Sequence, residues 1–300
     1  MKVLVTGSQG FIGKHLVEYL RARGFEVVGA DLRGEEDLPV DVTDHMMVSK
    51  VFESLGFEAV VHLAAVADIA ESLKDPYRCF HVNFMGSLNV LEAARRKRLS
   101  RVVVLSSANY YGTPAKTPVS EADPPSPRTP YDYSKVAVEN MAWSYYSNHD
   151  VPVVVLRPWK AFGEYEPPSK MVPRFILACL EGRPIPLYNG GADVTDPYHV
   201  ENLCYAVELS LTEEKAVGEA FNVGTGGAVS VRQLAEMIKK MTGSSSELQL
   251  LPPRTQAESK PMYSTPSIEK IKTVLGYSPK VGLEEGLQRV VNYLSQSRKH

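Results

Sequence analysis

The chain of 300 residues has 44% hydrophobic and 23% charged side chains and a formal net charge of −2. That composition fits a globular protein with a sizeable core and argues against a disordered or fibrous chain. The near-neutral balance gives no global electrostatic basis for nucleic acid or a membrane surface as partner.

Cys79, Cys179 and Cys204 are odd in number and lack metal-ligand spacing, so reduced, buried thiols and no metal site are expected. The opening residues lack the pattern of a secretory signal, and no apolar run approaches the ~20 residues of a membrane span. A cytoplasmic protein is expected.

Lys2 to Thr6 is a short apolar run that ends in Gly7, and Gly13 to Arg23 repeats apolar side chains at helical spacing, which predicts strand, glycine turn and helix. Gly24 suits the stop of that helix, and Glu26 to Ala30 is the next strand, ending at Asp31. The alternation continues with a strand at Ala59 to Leu63, a helix around Gly86 to Lys97 and a strand at Arg101 to Leu105. A helix from Ser134 to Asn148 and a strand at Val151 to Leu156 follow.

Strands apolar throughout and separated by helices predict an α/β fold, a Rossmann-type doubly wound parallel sheet covered on both faces. The basic run Arg95 to Arg98 sits where a helix ends and reads as a solvated terminus favoured by the macrodipole. Thr113 to Pro130 is rich in proline and reads as a long ordered loop at a functional rim. Residues 1–160 are assigned to the sheet domain. Beyond them glycine and proline become frequent, and helices at Leu234 to Met241 and Leu283 to Leu294 occur irregularly. Residues 161–300 therefore read as mainly a smaller α/β substrate lobe, with some segments returning to the first domain.

Gly7, Gly10 and Gly13 are spaced G-x-x-G-x-x-G between a strand and a helix. In that context the first glycine permits a tight turn, the second lets the backbone approach a pyrophosphate, and the third allows close helix packing. The helix N-terminal N–H groups then face the anion. Asp31 closes the second strand, where a carboxylate accepts hydrogen bonds from a ribose diol and repels a 2′-phosphate. NAD is therefore the expected cofactor, although Arg33 nearby weakens its preference over NADP. Asp41 and Val42 lie where they can meet the adenine.

Tyr131 and Lys135 form a Y-x-x-x-K pair at a helix entry, which brings phenol and ammonium to one side. A phenol with a pKa near ~10 is a poor base at neutral pH, and a neighbouring cation together with the nicotinamide's positive charge is expected to lower it. Ser107 follows the strand at Arg101 to Leu105, at the carboxyl end where ligands of open α/β sheets bind. The three together predict transfer of a proton and a hydride at a carbinol.

With these pieces in order, the sequence resembles the NAD-dependent epimerase/dehydratase family, the extended short-chain dehydrogenases typified by the UDP-glucose 4-epimerases. The likeness covers nearly the whole chain. It also rests on His62-Leu63-Ala64-Ala65, on Asn83 with the segment Gly86 to Ala93, and on Phe221 to Gly226. The resemblance implies that Tyr131 is the acid/base, that Lys135 holds the nicotinamide ribose and that Ser107 positions the substrate hydroxyl. It adds Phe11, Ile12, Leu63, Ala64, Ala65, Asn83, Ser106 and Pro158 to the cofactor site, and it implies a homodimer.

The dehydratases and decarboxylases of the family carry acidic side chains within the two positions after this serine. Here those positions are Ala108 and Asn109, so inversion of one carbinol through a 4-keto intermediate is expected of a nucleotide sugar. A dehydrogenase or reductase acting on a sugar or hydroxy acid is the alternative, and a non-catalytic NAD sensor is a weaker one.

The expected substrate residues are Ser107, Asn109, Tyr131, Lys160, Met171, Arg174, Tyr188, Thr195 and Arg254. Two of them depart from the family. Lys160 replaces a diphosphate-contacting Asn and Thr195 a diphosphate-contacting Arg. Lys160 and Arg254 can serve a diphosphate as point charges, or a different anion.

Overall fold

The computed structural model describes residues 1–34, 37–253 and 261–297. Its main sheet has seven strands: β1 (Lys2–Thr6), β2 (Glu26–Asp31), β3 (Leu38–Pro39), β4 (Ala59–His62), β5 (Arg101–Leu105), β6 (Val153–Pro158) and β7 (Ala220–Val223). All pair in parallel, in the spatial order β3-β2-β1-β4-β5-β6-β7. The order reverses between β1 and β4, which opens a crevice at the strands' carboxyl ends where ligands bind.

Because side chains alternate across a strand, the apolar runs serve two cores. Val3, Val5, Val61, Val103 and Leu156 pack on one face with helix α1 (Phe11–Ala22). Leu4, Val60, Val102, Val104 and Val155 pack on the other with α2 (His45–Ser54), α3 (Gly86–Lys97) and α4 (Pro130–His149).

Helix α4 begins a turn earlier than its sequence pattern suggests. The Thr129 hydroxyl accepts the Asp132 N–H while the Asp132 carboxylate accepts the Thr129 N–H, and Pro130 occupies the first turn, where a missing N–H costs nothing. Tyr131 and Lys135 thus sit on successive turns near the start of α4.

Past β6 the chain forms the second lobe around α5 (Met171–Leu180) and a strand pair, Ile185–Tyr188 with Leu248–Leu251. Phe162, Phe175, Ile176, Leu234 and Leu287 fill its core. Between lobe segments, α6 (Val200–Thr212) and the helix Glu269–Leu275 return to cover the first face of the main sheet, and β7 returns as its edge strand. The lobe is completed by α7 (Val231–Met241) and α8 (Leu283–Ser297). The three cysteines are buried free thiols. No helix among the described residues is long and apolar enough to cross a membrane.

Candidate active site

The glycine turn has the form a dinucleotide pyrophosphate requires. Gly7 has φ +71°, and a Cβ there would lie 2.7 Å from the Ala64 nitrogen. A Cβ on Gly13 would lie 2.1 Å from the Gly7 carbonyl, so α1 could not approach β1. A Cβ on Gly10 would meet only that same carbonyl, at 3.2 Å, and would otherwise project into open space. Phe11 and Ile12 follow at the N-terminus of α1, half-buried against the core. The backbone N–H groups of Leu63 and Ala64 donate to the Thr6 hydroxyl, which holds the 63–65 segment over the turn.

Asp31 stands at the tip of β2, half-exposed, and accepts the N–H groups of Gln9 and Arg33 at 3.1 Å each. Asp37, which no sequence pattern singled out, accepts from the Ser8 hydroxyl at 2.6 Å and from the Gln9 amide. Two carboxylates at this end favour a ribose diol over a 2′-phosphate. Asp41 accepts from the Thr43 hydroxyl and N–H, and Val42 packs on Gly86, so this pair shapes the wall of the crevice.

At the other end of the crevice β5 runs out into Ser106 and Ser107. The Tyr131 ring lies against Val66 and Cys79. Burial pushes its phenol up to about 12, and a hydrogen bond with the Ser107 side chain pulls the other way. Lys135 is also buried, which lowers its ammonium to about 8. The ammonium donates to the Leu105 carbonyl at 2.8 Å and stays 5.8 Å from the centre of the Tyr131 ring, and burial is the largest influence on the phenol.

Several expected site residues act through other groups. The side chain of Asn83 accepts the Val66 N–H at 2.7 Å and donates to the Val66 carbonyl and to Ser134, so it fixes the loop after β4 against α4. It lies in the wider helical turn His81–Met85, a feature common at functional sites that leaves no periodicity signal. Ser106 turns its hydroxyl to the buried carboxylate of Glu139, which also holds Arg157 through both its oxygens. Pro158 is buried at the end of β6. His62, at the end of β4, bonds the hydroxyls of Thr6 and Ser87 and is held near pKa 3 by burial, so it is a neutral packing residue.

On the lobe side, the Asn109 amide donates to Asp132 at 3.0 Å, beside Tyr131. Lys160 reaches the same region from beyond β6, where it feels the charges of Asp132, Glu166, Lys170 and Arg128. Met171, Arg174 and Tyr188 are half-buried around the lobe core, farther along the chain. Thr195 is 8% exposed and sits in a short strand paired on both sides. Arg254 lies outside the described residues. Among the described residues no cluster of His, Cys, Asp or Glu could hold a metal.

The model of the NAD dependent epimerase/dehydratase family matches residues 3–224. The chain belongs to that family. NAD is accordingly its cofactor, and the glycine turn, the Asp31 tip and the open space at Gly10 suit it. The family's members are diverse. The structure of UDP-glucose 4-epimerase from Thermotoga maritima, with UDP-glucose, superposes with a TM-score of 0.93 at 30% identity, over 99% of this chain and 100% of that one. The dTDP-glucose 4,6-dehydratase of Streptomyces niveus is 31% identical over 99% of this chain and 94% of its own length. The UDP-glucuronate 4-epimerase of Thermodesulfobacterium geofontis is 27% identical over 98% and 96%.

Proposed function

We propose that the protein is an NAD-dependent nucleotide-sugar epimerase of the UDP-glucose 4-epimerase type. The observation that carries this reading is the neighbourhood of Ser107, where Ala108 and Asn109 bring no carboxyl. Of the acids in this region, Asp132 is occupied as a helix cap, accepting from the N–H groups of Arg128 and Thr129 and from the Asn109 amide, and Glu139 is held by Ser106 and Arg157. Elimination of water needs an additional acid and base beside the reacting sugar, whereas inversion needs only one acid/base pair used twice.

Held at the glycine turn and the Asp31 tip, NAD would supply the hydride acceptor and donor for one carbon of the sugar. Ser107 hydrogen-bonds the reacting oxygen, and Tyr131 takes its proton as the ketone forms and gives it back when the alcohol is restored. The high pKa of the phenol keeps it protonated in the protein alone, so the charge of the bound nicotinamide and the Lys135 ammonium are both needed to make it a base. Rotation of the ketone within the cleft then exposes its other face.

A homodimer through α3 and α4 is part of this reading, supported by exposed Met85, Tyr133 and Tyr146 on or beside those helices. The discriminating experiment is incubation with UDP-galactose and no added NAD. Formation of UDP-glucose is the expected result. Steady release of NADH from another alcohol, with no UDP-glucose formed, would establish a dehydrogenase instead.

A further inference from the structure

Ser107 is carried by a short segment whose two flanks are held by one guanidinium. Ser106 leads out of β5, and Ala108–Tyr111 forms a single 3₁₀ turn. Within it the Asn109 N–H donates to the Ser107 hydroxyl at 3.1 Å and the Tyr110 N–H to the Ser107 carbonyl at 3.0 Å. The same hydroxyl is hydrogen-bonded to Tyr131. One such turn has poorer hydrogen-bond geometry than an α-helix and no length to stiffen it. Those bonds alone would fix the hydroxyl only loosely.

Arg157, on β6, supplies the rest. On the flank before Ser107, its Nε and Nη2 donate to the Glu139 carboxylate at 3.0 and 2.6 Å, and that carboxylate also accepts the Ser106 hydroxyl. On the flank after it, Nη1 donates to the Tyr111 hydroxyl at 2.7 Å, and the guanidinium carbon lies 3.9 Å from the centre of the Tyr110 ring. Both members of the ion pair are buried. The outer ends are anchored as well. Tyr111 donates to Asn222 on β7 at 2.7 Å, and Glu139 follows Lys135 by about one turn of α4.

A buried ion pair is a weak source of stability, since apolar side chains of similar volume often serve as well or better. What this pair offers is direction. A planar fork addresses a carboxylate, a hydroxyl and a ring face at fixed angles, which neither an apolar side chain nor a lysine can do. We propose that Arg157 is a positioning residue: acting through Glu139 and Ser106 on one flank and through Tyr110 and Tyr111 on the other, it sets the Ser107 hydroxyl against Tyr131. A displacement of about 1 Å in such a group costs on the order of 10²-fold in rate. The inference rests on the role given to Ser107 in the reading above.

The test uses Arg157→Lys and Tyr111→Phe, the second of which leaves the ion pair whole. In conversion of UDP-galactose both should keep KM within about twofold while kcat falls, by about 10²-fold for the first and about tenfold for the second. Amide hydrogen exchange of the NAD-loaded protein reads the same clamp without substrate. The N–H groups of Asn109, Tyr110 and Gly112 should exchange at least about tenfold faster in both variants, with those of Val103 and Val104 unchanged. Unchanged exchange at the three amides would overturn the inference, and so would faster exchange with an unchanged kcat. Release of NAD by Tyr111→Phe, or a rise in its KM as large as the fall in kcat, would reduce the network to general support of the fold and overturn it too. If the unsubstituted protein converts no UDP-galactose, the epimerase reading falls, and the exchange result still decides whether Arg157 holds the Ser107 segment.

Discussion

The two walls of the crevice are built differently. On the sheet side a chain of buried partners runs behind Ser107 and Tyr131: Glu139 is shared by Ser106 and Arg157, Arg157 donates to Tyr111, and Tyr111 donates to Asn222. On the lobe side Glu166 keeps an unpartnered oxygen and Lys160 is exposed. A closed network holds its own side chains in place, whereas an unpartnered oxygen leaves hydrogen-bonding capacity unmet. On the proposed reading the first wall serves the common chemistry and the second the choice of substrate.

Substitutions can break this contrast at graded cost. Tyr131→Phe removes the acid/base from the frame and should lower turnover by at least about 10²-fold, with NAD still bound as judged by its release on denaturation. Near-normal turnover would refute the assignment. Glu139→Ala leaves the Arg157 guanidinium buried without its counter-charge and should cost about 3–5 kcal/mol in denaturant unfolding. A loss below about 1 kcal/mol would show that the network is not structural.

His62 gives a pH signature. Its folded pKa of about 3 lies below the ordinary 6.5, so on acidification the unfolded chain takes up a proton that the folded one refuses. Stability is full above pH 6.5 and should fall by about 3 kcal/mol as the pH drops to about 4.5, at ~1.4 kcal/mol per pH unit. His62→Gln should flatten that slope in urea melts, and an unchanged slope would contradict the assignment. At the small end, Lys170→Ala breaks a partly exposed pair with Asp68 and should change stability by less than about 1 kcal/mol.

What the sequence made legible follows from the same contrast. The glycine turn and the main strands are written in spacing and apolar runs, because backbone geometry and burial on both faces dictate them. Their ends were less clear. Helix α4 starts at Pro130 through a cap formed by Thr129 and Asp132, which periodicity does not register, and β7 enters the sheet from far down the chain. Tyr131 and Lys135 were found by pattern, yet their electrostatics were not, since desolvation depends on what packs around them. Asp37, Glu166 and Lys170 left no motif at all. They matter through contacts between segments distant in sequence, and on the lobe only departures such as Lys160 and Thr195 hinted at a changed site.

The central claim is that Ser107, Tyr131 and Lys135 serve oxidation and reduction at one carbon with a retained cofactor. Its most direct test is NMR of the product formed from UDP-glucose or UDP-glucuronate in deuterated water without added NAD. The account predicts the C4 epimer with no solvent deuterium bound to carbon. A 4-keto-6-deoxy sugar, a pentose formed by loss of the carboxylate, or deuterium at a sugar carbon would contradict it.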